Sequence, residues 1–67
     1  MSVAKVTEIS ATSAKSFEDA IQQGLTRSVK TMRNVRGAWI KEQHVTCAEG
    51  RITEYRVNMM VTFVLDD

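Results

Sequence analysis

The chain has 67 residues, nine basic and eight acidic side chains, one histidine and a net charge of +1. That balance gives no overall field to attract nucleic acid or an anionic membrane, and no apolar run reaches the roughly 18 residues of a membrane span. A chain of this length is expected to form a single domain over residues 1–67, with a thin stability margin, because about 60 residues bury only roughly 60% of their unfolded surface.

Small domains compensate with disulfides, metals or oligomerisation. Cys47 is the single cysteine, so no intrachain disulfide can form, and one Cys with one His does not make a metal-finger spacing. Oligomerisation is the remaining source of stability. The start of the chain lacks a charged segment followed by an apolar stretch. Together with an unpaired thiol, this points to a cytoplasmic protein.

In chain order, Val3–Ser10 (VAKVTEIS) is a first strand candidate, with Val3, Val6 and Ile9 apolar and contacts expected on both faces. Ala11-Thr12-Ser13 breaks that pattern and introduces a helix. Ser13 is a candidate N-cap, and Ser16-x-x-Asp19 resembles a capping box. Phe17, Ala20, Ile21, Leu25, Val29 and Met32 follow helical spacing. Gly24 lies on the same stripe; inside a helix it costs about 1 kcal/mol relative to Ala, which predicts a close approach of helix to sheet. Glu18 and Asp19 in the first turns and Arg27, Lys30 and Arg33 in the last complement the helix dipole.

Asn34 to Gly37 is expected to end the helix and turn the chain into a second strand, about Ala38 to Cys47. Ala48-Glu49-Gly50 is short enough to make an antiparallel hairpin. From Arg51 to Asp67 the odd positions read Tyr55, Val57, Met59, Val61, Phe63, Leu65, and the even ones Glu54, Arg56, Asn58, Met60, Thr62, Val64. This period of two marks a strand whose odd face meets the helix. Met60 and Val64 keep the even face partly apolar, so that face is predicted to be buried against copies of the chain or a ligand. The fold class is α+β: a β-α-β-β order, giving an all-antiparallel three-stranded sheet on one helix if the third strand is central.

In the second strand, Ala38 and Ile40 make the better helix-facing pair. Gly37, Trp39, Lys41 and Gln43 then point to the opposite face, as does Arg56. Trp39 reads either as the anchor of a subunit interface or as a stacking platform for a flat heterocycle. Arg56, with Glu54 and Asn58 on its face, reads either as a salt-bridge partner, worth about 0–1 kcal/mol when exposed, or as a fork for a carboxylate or phosphate.

His44 alternates with Glu42 and Thr46 and has no second ligand beside it. Cys47 has no base to activate it. Asp66 and Asp67 end the chain, as cation ligands or as a solvated terminus. Arg27, Lys30 and Arg33 read as a solvated helix face, not as a basic patch interleaved with aromatics, so nucleic acid is not an expected partner. Paired carboxylates, a nucleophile–base pair and a Gly-rich phosphate loop are all missing from the sequence. An enzyme would need His44 to pair with Glu42 or Cys47 between subunits.

These residues resemble the dodecins over nearly the whole chain. The stretches that carry the likeness are KVTEISATSAKSFEDAIQQGL, RSVKTMRNV, WIKEQ and ITEYRVNMMVTFVLDD, together with the length and the β-α-β-β order. The resemblance implies a three-stranded antiparallel sheet wrapped on one helix and a hollow shell of twelve identical subunits. It also implies flavins (riboflavin, FMN or FAD) bound in pairs between subunits, stacked on a tryptophan and hydrogen-bonded by a glutamine, for storage and not for catalysis.

The chain departs from that pattern at both points. Gly37 stands where the stacking tryptophan is expected, with Trp39 two residues later, and Arg56 stands where the glutamine is expected (EYRV for E-Y-Q-V). Arg offers no acceptor. The cofactor site implied is therefore Gly37, Trp39 and Arg56, with flavin binding weakened or lost. A smaller dodecin-like branch, described as calcium-associated, also carries Arg here and lacks the tryptophan. The IKEQ stretch and the Tyr55-Arg56 pair look like that branch, which makes calcium the alternative ligand.

Overall fold

The computed structural model describes residues 2–65. Its elements run β1 (Ala4–Ser13), α1 (Phe17–Thr31), β2 (Val35–Ala48) and β3 (Arg51–Val64). The sheet order is β1-β3-β2, and β3 pairs antiparallel with both neighbours. The expected β-α-β-β architecture with a central third strand is therefore the observed one.

The helix begins because Ser16 caps it. The Ser16 Oγ accepts from the Asp19 backbone N–H at 3.0 Å, satisfying one of the donors that a helix start leaves open. The capping-box reading holds in this direction only. The Asp19 carboxylate turns away and accepts from Ser13 Oγ at 2.6 Å and from Gln23 Nε2. Ser13 is not the N-cap. It is the last residue of β1, opposite Tyr55, and it is buried. Ala11-Thr12-Ser13, expected to break the strand, continues it, because Ala11 and Ser13 lie opposite Val57 and Tyr55 on the helix side.

The helix stops at Thr31, with Met32 as C-cap, so Arg33 lies outside it. Asn34 takes a φ of 58°, a left-handed conformation that Asn tolerates better than most residues. The turn is thus shorter than Asn34–Gly37, and β2 starts at Val35. At the other end Glu49 and Gly50 both have positive φ, 52° and 77°, the signature of a two-residue type I′ hairpin.

The core lies between α1 and the odd face of β3. Ala20, Val57, Met59 and Val61 are fully buried, with Ile9, Ala11, Phe17, Ile21, Leu25, Met32 and Val35 packed around them. Full burial of a Val or Met side chain is worth about 1.5–3 kcal/mol. Phe17 meets Tyr55 edge to face, with centroids 5.1 Å apart. Gly24 makes the close approach its position predicted: a Cβ there would collide with the Met59 methyl and come within 3.2 Å of the Ala11 Cβ. Val29 departs from the expected stripe, at 58% exposed.

Helix α1 lies over β1 and β3 and scarcely reaches β2. The long β2–β3 hairpin therefore stands out from the core and gives a body 52 × 19 × 13 Å. Ile40 and Val45, on the helix side of β2, remain 39% and 37% exposed. The second sheet face is bare, and part of the first is bare as well.

Candidate ligand-binding face

The face opposite the helix is built from cross-strand rows. Val6, Thr62 and Gly37 form one row, and Glu8, Met60 and Trp39 the next. Ser10, Asn58 and Glu42 follow, then Thr12, Arg56 and His44, and Thr46 faces Glu54 at the far end. Residues opposite each other on adjacent strands share a face, so Gly37, Trp39 and Arg56 all stand on the outer surface, as the alternation predicted.

They do not form one cluster within the chain. Met60 and Arg56 are four residues apart on β3, which separates the Trp39 and Arg56 rows by about 13 Å. Trp39 is half exposed, at 52%. Among the described residues Arg56 reaches only Glu54 on its own strand, at 4.0 Å, with both side chains more than two-fifths exposed, a contact worth about 0–1 kcal/mol. Nothing stands within 4 Å of a Cβ placed on Gly37, so that position is an open surface and not a tight approach.

Gln43 is misplaced by the sequence reading. The register of β2 against β3 slips between Val35 and Gly37, between Ile40 and Glu42, and between Thr46 and Cys47. At the second slip Lys41 is the extra residue. A bulge of one residue exchanges the faces of everything beyond it. Gln43 therefore lies opposite Val57 on the helix side, while Glu42, His44 and Thr46 turn to the outer face.

Two contacts lie on the outer face, and the second of them depends on that slip. Lys41 Nζ crosses to Glu8 Oε1 at 3.3 Å, an ion pair about half exposed at both ends. Asn58 Nδ2 donates to Glu42 Oε1 at 2.7 Å. The Asn58–Glu42 pair was not legible in the sequence. The charge and amide identities were visible, but the bulge that brings them together has no residue signature at Lys41.

His44 faces Arg56 across the strands. The free thiol Cys47 is exposed. Among the described residues no group of three or more His, Cys, Asp or Glu side chains is placed to hold a metal ion; Asp66 and Asp67 lie outside the described residues. No helix among them is long and apolar enough to cross a membrane. A shallow cleft of about 270 Å³ opens between β1 and α1, lined by Ile9, Ser10, Gln23, Gly24 and Arg27 among others. It holds no aromatic platform and lies at the β1 edge, away from Trp39.

One helix on one face of an antiparallel β-α-β-β sheet, with a lone tryptophan on the open face, defines a small α+β protein with one sheet face uncovered within the chain. The sequence model of the Dodecin family matches residues 3–66. A dodecin of Thermus thermophilus is 37% identical over 65 residues, covering 97% of this chain and 94% of the relative. A crystal structure of an arginine-to-alanine mutant of Thermus thermophilus dodecin superposes with a TM-score of 0.93 at 36% identity, over the full length of both chains. The calcium-chelating immunodominant antigen of Mycobacterium tuberculosis, a calcium dodecin with a novel calcium-binding site, superposes with a TM-score of 0.81 at 31% identity, covering 96% of this chain and 91% of that one. The chain belongs to the dodecin family.

Proposed function

We propose that this protein is a single-domain small-molecule binder, assembled as a hollow homododecamer, that holds a flavin by stacking it on Trp39. The observation that carries this reading is Trp39 itself: the only tryptophan, 52% exposed, on the face the helix leaves uncovered and opposite Met60. Aromatic platforms of this kind bind any flat heterocycle, with about 1–3 kcal/mol per stacked base in comparable systems. Gly37 leaves room beside it. Arg56, about 13 Å further along the face, meets an anionic or polar extremity of the ligand. The role that goes with this reading, by likeness to the dodecins, is storage or protection of the ligand in the cytoplasm and not its conversion.

Titration of the purified protein with riboflavin, FMN and FAD, followed by flavin fluorescence, tests the reading. Saturable quenching supports it, and no quenching at micromolar flavin overturns it. Light scattering reads the subunit number in the same sample.

A second reading is a dodecin shell that binds calcium and no flavin. Its support is the 31% identity with the calcium dodecin and Arg56 in the EYRV stretch. Calorimetric titration with calcium chloride, with magnesium chloride as control, tests it; heat with calcium alone is the expected result.

A further inference from the structure

We propose that the Asn58–Glu42 pair, and not Arg56, reads the edge of the ring stacked on Trp39, and that it selects heterocycles with an imide-type edge, an N–H flanked by carbonyl oxygen. The inference rests on the proposed stacking role of Trp39.

Position comes first. Trp39 stands opposite Met60, and Glu42 stands opposite Asn58. The two rows are neighbours on one face, about 7 Å apart, whereas Arg56 is a further row away. A ring system centred on Trp39 and Met60 extends its rim over Asn58. The bulge at Lys41 is what puts Glu42 there; without it Glu42 would face the helix side.

Chemistry comes second. A carboxylate only accepts, so the amide nitrogen of Asn58 must face Glu42, as it does at 2.7 Å. That fixes the orientation of the amide. Its second N–H and its Oδ1 make no hydrogen bond among the described residues. The face therefore offers an oriented donor, an amide acceptor and a carboxylate acceptor within one side-chain pair. An imide edge is the complement: its N–H donates to Asn58 Oδ1 or to the Glu42 carboxylate, and its carbonyl accepts from the free Asn58 N–H. Ser10, opposite Asn58 on β1, adds a hydroxyl to the same row. Arg56 offers donors only, and it is paired with Glu54 at 4.0 Å. The Lys41–Glu8 pair crosses the same face, about half exposed at both ends, and an exposed pair of this kind is held by only about 0–1 kcal/mol.

The test compares riboflavin with N3-methylriboflavin, in which the imide N–H is replaced by a methyl group. The intact protein is expected to bind the methylated ring at least about tenfold more weakly, the loss that follows when a polar site meets an analogue lacking its hydrogen-bonding group. Asn58→Leu is expected to lose riboflavin affinity by a similar factor and to bind both flavins alike. Equal binding of the two flavins by the intact protein overturns this inference and leaves stacking on Trp39 standing, whereas binding of neither overturns the stacking reading and this one with it. If Asn58→Leu does not fold, the comparison of the two flavins on the intact protein decides the matter without it, because an arginine has no acceptor with which to read an imide N–H.

Discussion

Met60 stands directly opposite Trp39 across β3 and β2, on the face that α1 leaves uncovered. The two side chains make an apolar strip on a face that also carries Glu8, Lys41, Glu42, Asn58 and Arg56. Because Trp39 is half exposed within the chain, removing it takes little from the chain's own core. Trp39→Ala is expected to retain the secondary structure by circular dichroism and to lose flavin binding by about tenfold or more, in line with roughly 1–3 kcal/mol per stacked ring. Loss of assembly in place of ligand affinity, seen by light scattering, would assign Trp39 to a subunit interface.

Gly37 offers the converse experiment. Its Cβ position meets nothing within 4 Å, and a strand glycine has no side chain to pack. Gly37→Trp is expected to fold without loss of stability and to place a second platform about 7 Å from Trp39 on the same face. Tighter flavin binding than in the parent, measured by fluorescence titration, is the expected outcome.

The helix–sheet contact at Gly24 is the most constrained point of the core. A larger residue there must displace the Met59 methyl and press on Ala11. Gly24→Val is expected to destabilise by about 1–3 kcal/mol, the usual range for overpacking. Urea unfolding at matched protein concentration checks this, and an unchanged midpoint would show that the helix shifts freely over the sheet.

Asp19 links stability to pH. Its pKa is lowered from the ordinary 3.8 by hydrogen bonds from Ser13 and Gln23 and by the charge of Lys15, against a smaller opposing effect of desolvation. A carboxylate whose pKa is lower in the folded state stabilises that state fully above its unfolded pKa. The contribution drains away as pH falls below about 3.8 through the lower folded value. Asp19→Asn is expected to be less stable than the parent at pH 6, and the gap is expected to narrow as the pH is taken below 4. Parallel unfolding curves at pH 6 and pH 3 read this directly.

The hairpin between β2 and β3 carries a left-handed glutamate, Glu49, with φ 52°. That conformation costs an ordinary residue roughly 1–2 kcal/mol, and Asn-Gly suits a type I′ turn better than Glu-Gly. Glu49→Asn is expected to raise the thermal midpoint, corresponding to a gain of about 0.5–1 kcal/mol.

Much of the fold was legible because its signals are local. The alternation through Val57, Met59 and Val61 marked the buried face of β3, and all three are fully buried. The Phe17–Met32 spacing marked the helix, and Gly24 marked its close contact. The element ends were less legible. Ser13 carries an N-cap residue type but is held in β1 by pairing with Tyr55, a long-range contact no local pattern reports. Ser16, three residues on, takes the cap.

The candidate site divides in the same way. Sequence alone determined that Gly37 and Trp39 share a face, because side-chain alternation is a property of a single strand, and the quoted stretches determined the family. Tertiary structure decided which face Glu42, Gln43 and His44 occupy, because the bulge at Lys41 exists only in the pairing of β2 with β3. It also decided that Arg56 stands two rows from Trp39, and that Asn58 and Glu42 meet at 2.7 Å. Register is a relation between strands, and one residue of slip, which costs the sequence nothing visible, exchanges inside for outside.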